Sequence, residues 1–143
     1  MRALLDANIL ITYITERDDS YANECKELVK LCAAGAVEGY MAFHALSIIW
    51  YVISRAKDRD TARAWLDNLC QVLLVASASH DQVQDAIANK DFKDFEDCLV
   101  DQCARNVAAD YIITANIRDF SSSSTAVITP TEFLSLAKAS ENV

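Results

Sequence analysis

Three stretches of the sequence set carboxylates and amides at the ends of short apolar runs. Leu4 and Leu5 lead into Asp6, followed by Asn8. Tyr111, Ile112 and Ile113 lead into Thr114, then Asn116, Arg118 and Asp119. Between them, Asp94, Glu96 and Asp97 open a helical pattern that continues to Asp101. Asp94, Asp97 and Asp101 are three and four residues apart, so they share one helical stripe, where like charges repel unless solvent, a basic side chain, the helix dipole or a cation offsets them. Asp6, Asp97 and Asp119 together offer hard oxygen ligands of the kind Mg²⁺ or Mn²⁺ takes alongside waters and substrate phosphates. Such an ion orients and deprotonates a water and stabilises charge building on phosphorus.

Singly, most of these residues also have structural explanations. Asp94 suits an N-cap. Asp97 suits the first helical turn, where the dipole favours acids. Glu96 and Asp101 read as a solvated face, with Asp101 able to pair with Arg105. Asn116 and Asp119 suit a turn, and Thr114 a strand end. Asp6 differs, because a charge closing an apolar strand is costly unless paired or exposed. His44 opens an apolar helical run and reads as structural. His80 lies beside a predicted N-cap and reads as exposed.

The elements that must position these groups alternate in type. Strands are predicted at Arg2–Asp6, Glu38–Phe43, Gln71–Val75, Tyr111–Thr114 and Ala126–Ile128. A helical turn region over Ile9–Ile14 and helices over Asp19–Ala34, His44–Ala56, Arg59–Leu69, Ser79–Ala88 and Asp94–Ala108 lie between them. His44–Ala56 is apolar nearly all round and reads as a buried helix. Ser121–Thr125 reads as a mobile polar loop. Thr129 and Glu132 have capping-box spacing, with Pro130 at the first position of a closing helix. Short apolar strands alternating with helices predict an α/β fold, a parallel sheet covered on both faces. In such sheets, sites gather beyond the carboxyl ends of the strands.

Composition narrows the classes further. At 143 residues, one domain spanning 1–143 is expected. Apolar residues at 52 % and charged residues at 24 % suit a globular chain. Two Gly and one Pro argue against an all-β fold and against glycine-rich phosphate loops; no dinucleotide or P-loop motif is present. A net charge of −8 rules out a bulk basic surface for nucleic acid, leaving metal ions or a local basic patch as the means of contact. Arg118, Lys90 and Lys93 are the cations nearest the acids in sequence. The five cysteines match no zinc spacing and read as small buried hydrophobes in a reducing cytosol. No signal peptide is expected, and apolar runs such as Ile48–Ile53 fall far short of the roughly 20 residues of a membrane span. The expected location is cytoplasmic.

The ordered set Leu4–Leu10, Asp94–Leu99, Tyr111–Phe120 and Thr129–Leu134 resembles the PIN-domain family, the ribonuclease fold of VapC-type toxins. The resemblance implies a three-layer fold with a parallel sheet of four or five strands between helices. It implies Mg²⁺- or Mn²⁺-dependent cleavage of RNA. By position, Asp6, Asp97 and Asp119 match the family's metal-binding acids, and Asn116 takes a place that is Asp or Asn in relatives. Asn8 and Thr114 match supporting polar residues. It further implies an antitoxin partner, which often inserts an Arg into the acidic groove, and a homodimer. Trp50, Trp65 and the His44–Ala56 helix could serve such contacts or the core.

One departure stands out. Many relatives carry a Glu in the helix after the second strand, near Ile48 or Ile49, and here that helix has no acid. Glu96 or Asp94 beside Asp97 are the available substitutes. The leading expectation is a metal-dependent endoribonuclease, the toxin of a type II toxin–antitoxin pair. The alternative is a catalytically weakened PIN module acting by protein or RNA binding. A phospho-receiver ranks below both, because no strand ends in Lys.

Overall fold

A computed structural model describes residues 1–17 and 20–141. Five strands, β1 (Arg2–Leu5), β2 (Glu38–Ala42), β3 (Leu74–Ala76), β4 (Tyr111–Ile113) and β5 (Ala126–Ile128), form one sheet in the order β3-β2-β1-β4-β5. Every pairing is parallel. Among the described residues the α-helices are α1 (Ala7–Thr15), α2 (Ala22–Ala33), α3 (Ala45–Ala56), α4 (Arg59–Val72), α5 (His80–Ala88), α6 (Phe95–Asn106) and α7 (Pro130–Glu141). A 3₁₀ turn covers Ile117–Phe120. The predicted helix start at Asp19 lies outside the described residues.

Strand alternation divides the core into two layers. Ala3 and Leu5 of β1 face a cluster with Leu10, Leu28, Ile49 and Phe133, drawn from α1, α2, α3 and α7. Leu4 faces the other side, with Ala86, Cys103 and Phe120. The sheet is therefore sandwiched as predicted, and both clusters are buried. Gly39 in β2 lies close against Cys32 of α2 and Leu73, the residue after α4. A Cβ there would lie 2.6 Å from both Cys32 Sγ and Leu73 Cδ2. Gly39→Ala is expected to cost about 1–3 kcal/mol through overpacking. An unchanged urea midpoint would contradict that tight approach.

Several boundaries differ from the sequence prediction. Gln71 and Val72 belong to α4, not to the third strand, which shrinks to Leu74–Ala76. The apolar face of α4 continues through Leu69, and Leu73 N–H still donates to the Leu69 carbonyl at 2.7 Å. A short apolar run fits either element, and here helical packing wins. Helix α3 is not buried all round: only Ala45, Ile49 and Ile53 are buried, and Tyr51 is 58 % exposed. It packs on α4, α1 and β2, with Leu46, Ile48, Trp50 and Val52 only partly buried against the core. Arg55 and Arg63 cover the rings of Tyr51 and Trp50 on the outside.

Local start signals read correctly. Ser79 and Gln82 form a capping box on α5. At α7, Glu132 N–H donates to Thr129 Oγ1 and the Thr129 hydroxyl donates back to the Glu132 carboxylate. Cys25, Cys32, Cys98 and Cys103 are buried and Cys70 is exposed. Among the described residues, no helix is long and apolar enough to cross a membrane.

Candidate metal centre

Strands β1 and β4 are neighbours, with Leu5 opposite Ile113, so their carboxyl ends meet. The strand order reverses at this junction, which is where open α/β sheets place their ligands. Asp6 leaves β1 and caps α1, its carboxylate accepting from Ala7 N–H at 2.9 Å. Its other oxygen accepts from the Thr114 hydroxyl at 2.9 Å. Thr114 is fully buried; its Oγ1 also accepts from Asn8 Nδ2 and Asn116 N–H, at 3.2 and 3.1 Å. Asn8 Oδ1 accepts from Ala115 N–H. The junction is thus a hydrogen-bonded knot that fixes where the Asp6 carboxylate points.

A cleft of about 280 Å³ opens beyond this knot. Asp6, Asn8, Asp94, Glu96, Asp97, Asn116 and Asp119 all line it. The structure therefore brings together every sequence-predicted acid and amide of the site, with Thr114 buried just beneath. Asp94 caps α6 by accepting from Glu96 N–H at 2.8 Å and still borders the cleft.

The carboxylates feel one another. Burial pushes the Asp97 carboxyl up to about 7, and Asp6, Asp94, Asp119 and Glu96 push in the same direction. Burial also raises Asp6, opposed by its hydrogen bonds to Thr114 and Ala7 and by the nearby His44, while Asp119 adds to the rise. Among the described residues, no three acid, His or Cys side chains already close around a single ion position. The donor chemistry nevertheless suits a hard divalent cation: oxygen ligands from three segments, destabilised as anions by burial and mutual repulsion.

The sequence matches the PIN-domain family profile over residues 2–118. The chain belongs to the PIN-domain family. It finds no significant match among curated proteins. Its fold is similar to that of VapBC2 from Rickettsia felis bound to a promoter DNA fragment, with 20% identity, a TM-score of 0.67, and coverage of 90% of this chain and 98% of that one. A toxin–antitoxin complex from Klebsiella pneumoniae matches at 21% identity and TM-score 0.67, covering 90% and 97%. VapC20 of Mycobacterium tuberculosis, a toxin that cleaves the sarcin–ricin loop, matches at 16% and 0.59, covering 77% and 86%.

In this PIN domain the positions where the resemblance would place a helix acid are apolar. Ile48 lines the cleft, and Ile49 is buried in the core. His44, read from sequence as structural, also lines the cleft, with its Nε2 3.2 Å from the Glu96 carbonyl. It follows β2, so the rule that sites lie beyond strand ends could have found it. Arg17 lines the cleft too, without any local signal in the sequence. Lys93 and Arg118 line an adjoining hollow of about 310 Å³ that shares Asp94, Asp97 and Asp119 with the cleft; Lys90 borders neither.

Asp101 is the largest surprise. It pairs with Arg105 at 2.9 Å as expected, yet it is 1 % exposed rather than solvated. Its other oxygen accepts from Ser123 Oγ at 2.5 Å and Ser124 N–H at 3.2 Å. The serine loop, expected to be mobile, is pinned by these bonds and by Ser122 Oγ on the Asp91 carbonyl. Asp101 is four residues beyond Asp97 and Ser123 four beyond Asp119, so this clamp joins the two acid-bearing segments.

Asp97 carries a pH prediction. The folded carboxyl keeps its proton up to about 7, whereas an unfolded Asp releases it near about 3.9. The folded state binds more protons in between, so metal-free stability falls as pH rises through this window. Between about pH 5 and about pH 8 in EDTA, the melting temperature should drop less for Asp97→Asn than for the parent. Mg²⁺ or Mn²⁺ at the upper pH should raise the parent more than the variant. Parallel pH curves for the two proteins would contradict this.

Proposed function

We propose that this PIN domain is a metal-dependent endoribonuclease and acts as the toxin of a type II toxin–antitoxin pair. The observation that carries the reading is the convergence of Asp6, Asp97 and Asp119, from β1, α6 and the turn after β4, on one cleft that raises Asp97 to about 7. Asp6, Asp97 and Asp119 would hold Mg²⁺ or Mn²⁺, with Asn116 at the edge. When bound, such an ion activates a water and neutralises charge on the phosphodiester. Thr114 and Ala7 orient Asp6 through its two oxygens. Arg17 on the cleft, and Lys93 and Arg118 in the adjoining hollow, would meet substrate phosphates. The toxin–antitoxin complexes among its structural neighbours support an antitoxin partner, and a homodimer accompanies that proposal.

Ile48 in the cleft favours a second reading, a PIN module that binds without cleaving. A mixed RNA pool incubated with purified protein in Mn²⁺, Mg²⁺ or EDTA separates the two. Cleavage with metal and none in EDTA is the expected result. No cleavage, together with no heat of Mg²⁺ or Mn²⁺ binding by calorimetry, would replace the nuclease reading with the second.

A further inference from the structure

We propose that His44 is a positioning residue for Asp97: from the end of β2 it holds the first turn of α6 and so sets where the Asp97 carboxylate stands in the cleft. The inference rests on the nuclease reading for its consequence at a metal ion. His44, Glu96 and Asp97 all line the cleft, and His44 Nε2 lies 3.2 Å from the Glu96 carbonyl oxygen. A carbonyl only accepts, so Nε2 carries the proton and donates. That carbonyl belongs to the peptide unit joining Glu96 to Asp97, and a peptide unit is planar. Holding its oxygen therefore fixes the plane from which the Asp97 Cα departs. In an α-helix the same carbonyl accepts from the amide four residues on, and its second lone pair is left for His44. The bond is an added restraint on the turn, not the rescue of an unpaired group.

The first turn of α6 needs such a restraint. Asp94, Phe95 and Glu96 are exposed and Asp97 is half-buried; packing into the core begins only at Cys98. The Asp6 carboxylate is oriented by Thr114 and Ala7. Among the described residues, no hydrogen bond to the Asp97 carboxylate offsets the burial and the like charges that act on it. Its backbone must place it. His44 starts from a firm base for this: Phe43 N–H donates to the Ala76 carbonyl at 2.7 Å, so the sheet holds the chain up to the residue before it. Ser47 Oγ donates to the His44 carbonyl at 2.8 Å. The His44 side chain makes no bond that caps its own helix, α3, and reaches α6 instead. The two helices lie in different layers, with Ile49 and Ile53 of α3 in one buried cluster and Cys98 and Cys103 of α6 in the other. The bond thus bridges the layers beyond the carboxyl end of β2. Helix α3 contains no acid; the residue that opens it holds in place an acid brought by another helix.

The test compares His44→Phe, which keeps a ring but has no donor, with His44→Gln, whose side-chain amide donates. Hydrogen exchange of the Cys98 and Leu99 amides, followed by NMR in EDTA, reports the first turn of α6 without any metal. His44→Phe is expected to speed that exchange about 2- to 10-fold and to weaken Mn²⁺ binding in calorimetry about 10- to 100-fold. His44→Gln should bring both back close to the parent. His44 is only half-buried, so both variants should melt within about 5 °C of the parent in EDTA. Parental exchange in His44→Phe would overturn the proposal, and so would faster exchange beside parental Mn²⁺ affinity; where the parent cleaves RNA, either result leaves the nuclease reading intact. Equal losses in the Phe and Gln variants would also overturn it, because donation to the Glu96 carbonyl would not be what matters. A parent that neither binds Mn²⁺ nor cleaves RNA removes the nuclease reading. Exchange that rises in His44→Phe and recovers in His44→Gln then keeps the hold of His44 on the turn that carries Asp97, and unchanged exchange removes both.

Discussion

Asp6→Asn is expected to abolish metal-dependent RNA cleavage, by on the order of 100-fold or more, while leaving the melting temperature near that of the parent. The size follows from removing a residue proposed as a direct ligand: loss of groups that merely orient a ligand already costs about 10–100-fold. The fold should survive for two reasons. Asn is as good an N-cap as Asp, so the bond from Ala7 N–H that starts α1 is kept. The carboxyl is also raised by burial, so removing its charge relieves an unfavourable desolvation. Against this, Thr114 Oγ1 already accepts from Asn8 and Asn116 and loses its anionic acceptor. These opposed effects should nearly cancel in thermal melts. Calorimetry should show weakened Mn²⁺ binding in parallel with lost cleavage. A variant that cleaves like the parent would remove Asp6 from the ligand set and with it the proposed mechanism.

Asp101→Ala is expected to have the largest effect on stability, about 2–4 kcal/mol. The buried carboxylate receives charge-assisted hydrogen bonds from Arg105, Ser123 and Ser124 N–H, and truncation leaves the serine donors without their acceptor. Arg105 is half exposed and can turn to water, so the loss falls short of that for a fully buried ion pair. For a chain of this size, such a loss lowers the melting temperature by roughly 10 °C. Activity should fall as well, at temperatures where the variant is still folded, because the clamp holds the loop after Asp119 against the helix that carries Asp97. Asp101→Asn keeps an acceptor for Ser123 and should lie between parent and Ala. If the Ala variant melts like the parent, the serine loop does not depend on this carboxylate and the clamp is not an energetic link.

Much of this was written locally. The strand β1, the closing helix α7 and the capping box of α5 depend on residues adjacent in sequence, whose propensities and hydrogen bonds need no distant partner. Alternation of short apolar runs with helical patterns was enough for a parallel sheet between helices, because such strands must be covered on both faces. Asp6 was conspicuous for the same kind of reason: a charge at the end of a buried strand is costly wherever the rest of the chain goes.

Other features depended on what the fold brought alongside. Asp101 has the pattern of a solvated acid beside Arg105, and only the approach of Ser123 and Ser124, more than twenty residues away, buries it. Helix α3 is apolar enough to be enclosed, yet its neighbours bury only Ala45, Ile49 and Ile53 fully and leave Tyr51 exposed. His44, Arg17 and Ile48 enter the cleft because three-dimensional neighbours, not sequence spacing, set what borders it. Residue types and their order determined the family, the layered sheet and the acids available for a cation. Tertiary structure alone decided which of those acids share a cleft, how far burial and mutual repulsion raise Asp97, and that Arg17 and His44 border it, because burial and Coulomb interactions depend on distances that the linear chain does not contain.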